Sequence, residues 1–334
     1  MKKKLIALLL ASMMVLSLAA CGGTKTEESP AASGEATPVA DKTYTVGICQ
    51  LVQHPALDAA TQGFKDALTE KLGHKVTFDE QNASGDVPTC AVIANQFVSS
   101  KVDLIMANAT PALQAVQTAT SEIPVLGTSV TDYGTALGID DWAGTTGTNI
   151  SGTSDLAPLD QQAAMLKELF PDAKNVGILY CSSEPNSRYQ SSVITKLLNE
   201  MGYTCKEYTF SDSNDLQTVV TTAASESDVI YLPTDNTVAS NTEIIKNVCV
   251  PAGIPIVAGE EGICAGCGVV TLSISYYDLG YKTGEMAYEI IVNGADPATM
   301  EVQFAPKFTK KFNAEIAKTL NITIPSDYVA IEAK

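Results

Sequence analysis

Short apolar segments alternate with amphipathic segments over most of the chain. The apolar segment 44–51 (YTVGICQL) predicts a buried strand, and segment 55–72 (PALDAATQGFKDALTEKL) places its apolar residues on one face of a helix. Asp86 is suited to cap a second helix over 87–100, in which Pro88 falls in the tolerated first turn. Uniformly apolar strands that alternate with helices indicate a parallel sheet covered on both faces.

The same alternation continues to the end of the chain. Further strands are predicted at 75–81, 102–107, 123–129, 174–181, 203–210, 228–233, 254–259 and 301–308. Further helices are predicted at 184–201, 213–226, 241–253, 275–294 and 310–320. The fold class is therefore α/β.

The two halves of this pattern can be aligned with each other. Segment 45–50 aligns with 175–180, 102–116 with 227–241, and 123–129 with 254–260. In this alignment Thr110 lies over Asp235. The alignment predicts two similar doubly wound lobes, and the helix and strand that follow the second lobe predict more than one crossing between them.

The first 42 residues are not expected to join the fold. Residues 1–20 have the basic start and short apolar run of a secretory signal peptide, and they end in the lipobox-like sequence LAAC with Cys21. An ordinary signal peptide or a membrane-spanning anchor is the alternative, but the apolar run is short for a span. Residues 22–42 are rich in Gly, Ser, Thr, Pro and Glu, which predicts a flexible tether. We therefore expect lipidation of Cys21 and attachment to the outer face of the cell membrane.

Charge and motif content exclude several function classes. The chain has 38 acidic and 21 basic residues and a net charge of −17, which disfavours nucleic acid as a partner. There is no Walker A loop, GxSxG elbow or HExxH motif, and only two histidines are present, so no enzyme class and no cofactor is expected.

Seven cysteines follow Cys21, and only Cys264 and Cys267 have a suggestive CxxC spacing. The pair could form a disulfide or belong to a redox or zinc site. Buried thiols that pack as small hydrophobic groups are the favoured interpretation for most of the seven.

Polar residues follow the predicted strands, where ligands bind in open α/β sheets. In the first half these residues are mostly hydroxyls and amides, with no acid before Asp132, and they suit an anion such as a carboxylate. The second half adds Glu184, Asp235, Glu260 and Glu261, which suit an ammonium group. A cleft between the lobes would then hold a zwitterion. Helix capping is the alternative role for each residue, especially Thr110 and Asp235.

Several segments together resemble the ABC transporter substrate-binding proteins that include tryptophan- and tyrosine-binding lipoproteins. They are TVGICQLVQHPALDAATQGFKDAL, VDLIMANATPALQA, NISGTSDLAPLDQQ, YLPTDNTVAS and SYYDLGYKTGEMA. The resemblance implies a type I periplasmic-binding-protein fold with three hinge crossings. It places the first lobe at 43–153 plus 273–296 and the second at 154–272 plus 297–334.

The resemblance also implies an aromatic amino acid as the ligand, an ABC permease as the partner and a monomeric chain. A lipoprotein that senses a ligand for a membrane receptor is the alternative function, and a CxxC oxidoreductase is a more distant one. The expected ligand-binding residues are His54, Ala109, Thr110, Ser129, Asp132, Ser182, Ser183, Asn186, Thr234, Asp235, Asn236, Glu260, Glu261 and Tyr276.

Overall fold

The fold is described from a computed structural model, in which residues 42–332 are placed well enough to describe. The predicted leader, the lipidation site Cys21 and almost all of the tether lie outside the described residues. Within them, no helix combines the length and the apolar character that a membrane span requires.

Thirteen strands occur in the described part of the chain. They are β1 Tyr44–Gln50, β2 Val76–Asn82, β3 Leu104–Asn108, β4 Val125–Val130, β5 Ile150–Ser154, β6 Asn175–Cys181, β7 Thr204–Phe210, β8 Val229–Leu232, β9 Ile256–Ala258, β10 Val270–Ser273, β11 Gln303–Phe304, β12 Thr309–Phe312 and β13 Val329–Ala330.

Twelve α-helices accompany these strands over residues 42–332. They are α1 Pro55–Leu72, α2 Val87–Ser100, α3 Thr110–Ala119, α4 Tyr133–Leu137, α5 Leu159–Leu169, α6 Pro185–Glu200, α7 Ser213–Glu226, α8 Asn236–Ala239, α9 Thr242–Cys249, α10 Glu261–Cys267, α11 Tyr276–Ile291 and α12 Ala314–Thr319. Short 3₁₀ turns occur at Gly73–Lys75 and Pro297–Thr299.

The strands form two sheets, one in each lobe. The first has the order β11-β5-β4-β3-β1-β2 and the second the order β13-β12-β10-β9-β8-β6-β7. All pairings are parallel except β10 with β12, and helices cover both faces of each sheet. The prediction of two doubly wound parallel-sheet lobes is confirmed.

The chain passes between the lobes three times, as the resemblance implied. The passages connect β5 to α5, β10 to α11, and β11 to β12. The expected boundary at 296/297 is wrong, because β11 extends the first sheet through the pairing of Gln303 with Thr153. Within the strand predicted at 301–308 only β11 forms, and the third crossing follows it. β12 then takes up Thr309–Phe312, so the helix predicted at 310–320 is shortened to α12 at Ala314–Thr319.

The repeat predicted from sequence is visible in matching hydrogen bonds. Asp103 accepts from the Thr45 amide at 2.8 Å in the first lobe, and Asp228 accepts from the Asn175 amide at 2.8 Å in the second. The aligned Thr110 and Asp235 differ by one position, since Thr110 is the first residue of α3 whereas Asp235 is the N-cap of α8.

Helices α1 and α11 pack very closely over one face of the first sheet. Gly280 makes this approach possible, because a Cβ atom there would lie 1.9 Å from the Ala60 carbonyl oxygen. This packing fixes α11, which follows the second crossing directly, against the first lobe.

All seven cysteines in the described region are free thiols, and only Cys205 is not buried. Cys264 and Cys267 lie on α10 in the core of the second lobe. Of the alternatives for the CxxC pair, the structure supports buried thiols that pack as hydrophobic groups.

Candidate functional site

The carboxyl ends of both sheets face a common cleft, and the lobes touch across it. The His54 Nε2 atom lies 3.2 Å from the Asn236 Oδ1 atom, with His54 in the first lobe and Asn236 in the second. His54 is only 7% exposed. It occupies the N-cap position of α1 but makes no side-chain capping bond, so its ring is turned to other partners.

The loop that carries His54 is held by amides at the ends of β1 and β3. Gln50 donates to Asp58 at 2.7 Å and accepts from the Thr61 hydroxyl at 2.6 Å. Asn108 donates to the Leu57 carbonyl at 2.8 Å. These bonds fix the first turn of α1 against the sheet.

Two strand ends of the first lobe have strained backbones at predicted site residues. Ala109 has a φ of 96° and Ser129 has a φ of 53°, values that L-residues with a side chain rarely adopt. Such strain concentrates at binding sites. Both residues are buried, as is Thr110, and the hydroxyls of Thr110 and Ser129 have no hydrogen-bond partner. This wall therefore offers buried, unsatisfied hydroxyls.

Two acids of the second lobe are occupied by its own backbone. Glu184 accepts from the Asn236 amide nitrogens at 3.0 and 2.7 Å and from the Thr237 amide at 2.9 Å. Asp235 accepts from the Cys181 and Val238 amides and from the Ser187 hydroxyl, all at 2.7–2.8 Å. The capping alternative thus describes the contacts that Asp235 makes.

Burial, and then the neighbouring Glu184 carboxylate, raise the pKa of Asp235 to about 8. The three donated hydrogen bonds act in the opposite direction, because they favour the ionised form. Asp235 is 1% exposed, and all three of its hydrogen-bond donors belong to the second lobe.

The two acids at the end of β9 have different surroundings. Glu260 caps α10 through the Gly262 and Ile263 amides, and burial raises its pKa to about 7. Glu261 pairs with Lys311 at 2.7 Å and accepts from the Ser273 hydroxyl at 2.5 Å. The Glu261 carboxylate therefore already has a cationic partner in its own lobe.

Asp155 joins this cleft, and the sequence reasoning missed it. It follows β5 in the first crossing, is 4% exposed, and accepts from the Tyr276 hydroxyl at 2.9 Å and the Thr131 hydroxyl at 3.0 Å. Burial raises its pKa, and its charge in turn raises the pKa of Glu260. Its position directly after a strand could have identified it as a site residue, but the polar segment ISGTS had not been predicted as a strand.

The remaining predicted residues have mixed surroundings. Asn186 is buried with its side-chain oxygen unpartnered. The hydroxyls of Ser182 and Ser183 instead donate to the carbonyls of Phe210 and Ser211. Asp132 caps α4.

Thr234 is partly buried, and its hydroxyl donates to the Gly259 carbonyl at 3.4 Å. An open apolar groove beside the hinge, lined by Leu156, Phe304 and Phe308 among others, includes none of the predicted residues.

Metal chemistry has no support in residues 42–332. They contain no group of three or more His, Cys, Asp or Glu side chains that could hold a metal ion.

The comparisons with known proteins agree with this geometry. Residues 45–334 match the family model described as ABC transporter substrate binding protein. The chain is 37% identical over 292 residues to a tyrosine-binding protein of Clostridioides difficile (strain R20291), covering 86% of this chain and 84% of that protein.

Two solved structures, one with a bound ligand and one open, can be compared with the arrangement of the lobes in this chain. An ABC domain from Streptococcus pneumoniae in complex with L-Trp superposes with a TM-score of 0.81 at 32% identity, covering 85% of this chain and 97% of the other. A ligand-free, open substrate-binding protein from Clostridium difficile gives 0.67 at 37% identity, covering 87% and 100%. The chain resembles the ligand-bound relative more than the open one, in agreement with the contact between its lobes.

The family consists of solute-binding proteins and not of enzymes, as the sequence predicted. Its match extends over nearly the whole described chain, and the two lobes with three crossings are those of a type I periplasmic-binding protein. The chain belongs to the ABC transporter substrate-binding protein family.

Proposed function

We propose that this chain is a lipid-anchored receptor on the outer face of the cell membrane that captures an aromatic amino acid and delivers it to an ABC permease. Capture occurs by closure of the two lobes, which the ligand favours by binding the closed form more tightly. The receptor acts as a monomer.

The observation that supports an amino acid most directly is the pair of buried acids Asp155 and Glu260. Their hydrogen-bond partners in the described structure are hydroxyl and amide groups, none of which carries a positive charge. Buried carboxylates without a counter-charge are costly, and an ammonium group in the cleft would offset that cost. The unpartnered hydroxyls of Thr110 and Ser129 suit the carboxylate of the same ligand.

The aromatic character of the ligand is proposed from the relatives. One is a tyrosine-binding protein and another is a structure in complex with L-Trp, each more than 30% identical over most of its length. We expect Asp155 and Glu260, rather than Asp235, to bind the ammonium group. Asp235 already accepts three hydrogen bonds from its own lobe.

Membrane attachment and transport are tested separately from ligand binding. Cys21→Ser should move the protein from the membrane fraction to the soluble fraction if Cys21 carries the lipid. Cells that lack the protein should take up labelled tyrosine or tryptophan more slowly, and expression of the wild-type chain should restore uptake. Unchanged uptake of both amino acids would contradict the transport role.

A further inference from the structure

A chain of three side chains crosses the cleft and ends on an unpartnered atom. Asn236 Nδ2 donates to Glu184 Oε2 at 2.7 Å, and Asn236 Oδ1 lies 3.2 Å from His54 Nε2. Glu184 Oε2 also accepts from the Asn236 backbone amide, and Glu184 Oε1 accepts from Thr237. With so many donors around it, the Glu184 carboxylate acts only as an acceptor.

The protonation of the His54 ring follows from this chain. Because Glu184 accepts from the Asn236 amide nitrogen, the amide oxygen must face His54. That oxygen can only accept, so His54 Nε2 carries the proton. In a neutral imidazole the other nitrogen, Nδ1, then has a free lone pair.

The free Nδ1 atom has no partner in the protein. It is buried without a hydrogen bond, although His54 stands where a capping bond to α1 would be possible. A buried acceptor that is left unsatisfied is costly, and such atoms at a cleft call for a donor from outside.

We propose that His54 Nδ1 accepts a hydrogen bond from an N–H or O–H group of the ligand, with Asn236 and Glu184 as positioning residues that fix the required tautomer from the opposite lobe. This rests on the proposed function, and it names a specificity-determining atom of the same site. The relay of Glu184, Asn236 and His54 spans the contact between the lobes as the structure shows it, so the acceptor is prepared where the lobes meet.

Acid should disable this acceptor, because protonation of Nδ1 removes its lone pair. Burial lowers the pKa of His54, while Asn236, Glu184 and Asp58 partly counter that effect. Glu184 on the second lobe and Asp58 on α1 are the charged groups that act on the ring.

Two substitutions at His54 separate its two nitrogens. His54→Asn keeps an acceptor near the Nδ1 position and loses the contact to Asn236, whereas His54→Gln keeps a donor near Nε2 and loses the Nδ1 acceptor. With L-tyrosine and L-tryptophan as probes in calorimetry at pH 7.5, we expect His54→Gln to weaken binding by about tenfold or more and His54→Asn by clearly less. Equal losses, or a larger loss in His54→Asn, would overturn the proposal.

L-Phenylalanine distinguishes the two possible donor groups. If the ring donor of tyrosine or tryptophan meets Nδ1, His54→Gln should leave phenylalanine binding nearly unchanged. If the ammonium group does, all three amino acids should lose affinity together. A loss confined to phenylalanine would overturn the proposal.

A measurement on the protein itself keeps the relay testable without a bound ligand. The chain has only two histidines, and His74 is exposed, so a ¹⁵N spectrum of the rings is assigned with His74→Gln. The relay predicts a neutral His54 protonated on Nε2, and loss of that single tautomer in Glu184→Gln. A proton on Nδ1 in the wild type overturns the relay. Failure of both amino acids to bind, with the tautomer as stated, overturns the proposed ligand instead.

Discussion

The Tyr276 hydroxyl donates a 2.9 Å hydrogen bond to the Asp155 carboxylate, and both side chains are buried. Asp155 lies in the first crossing between the lobes, and Tyr276 begins α11 directly after the second. The bond therefore ties two hinge strands together at the cleft. It also holds an acid that has no cationic partner among residues 42–332, at the position where the proposed function places the ligand ammonium group.

Asp155→Asn should weaken binding of L-tyrosine or L-tryptophan by about 30-fold or more in calorimetry, because the amide keeps the size of the side chain and loses its charge. Tyr276 can still donate to the amide oxygen, so thermal stability without ligand should change little. Asp160→Asn, on the exposed side of α5, is the matched control and should bind like the wild type. Unchanged affinity in Asp155→Asn would remove this acid from the site.

Asp235→Ala should act mainly on stability. The substitution leaves three donors without their acceptor, including the buried Cys181 amide, and we expect a loss of roughly 2–4 kcal/mol in the free energy of unfolding. Asp132→Ala removes a cap that serves one amide of α4 and should cost about 1 kcal/mol. Urea titration measures both. An equal effect of the two substitutions would show that burial of Asp235 adds nothing to its cap.

Stability should fall with rising pH through Glu260. Its pKa is raised from the ordinary glutamate value to about 7, so the folded protein holds this proton more tightly than the unfolded chain. The stabilisation is complete below about pH 4 and is lost as the pH rises through 7. Unfolding free energies at pH 5 and pH 8 should differ less in Glu260→Gln than in the wild type. An equal difference in Glu260→Gln and in the wild type would contradict this account.

Gly280→Ala should destabilise the first lobe. The new methyl group would stand 1.9 Å from the Ala60 carbonyl oxygen, so α1 and α11 would have to move apart, at a cost of about 3 kcal/mol or more. The exposed Lys282 on the same helix provides the comparison, and Lys282→Ala should change stability by less than about 1 kcal/mol. Equal melting temperatures for the two variants would contradict this account of the packing.

The strands and helices of apolar character were predictable from sequence, including the exact bounds of α1, α2 and α7. β5 was not, because its sequence ISGTS is polar although it is buried. Its hydroxyl groups find partners in other elements. The Thr153 Oγ1 atom lies 3.1 Å from Thr128 Oγ1 and 2.8 Å from Thr283 Oγ1. Only tertiary contacts make such a strand stable, and sequence periodicity does not record them.

The strand ends that border the cleft were predictable from sequence, but the hydrogen-bond partners of their acids were not. An N-cap and a ligand-binding acid use the same residue types at the same position, as Asp235 shows. Asp155 was not predicted as a site residue, because the polar strand β5 that it follows was not predicted as a strand. The two-residue strand β11 is too short for any pattern, which explains the misplaced boundary near residue 296.

Direct binding of aromatic amino acids to the purified protein tests the central claim most directly. Titration calorimetry with L-tyrosine and L-tryptophan, beside L-leucine, glucose and a nucleoside, should show saturable one-to-one binding of at least one aromatic amino acid. The same ligand should raise the melting temperature, since it binds only the folded chain. Binding of the sugar or the nucleoside, with no response to any amino acid, would contradict the account.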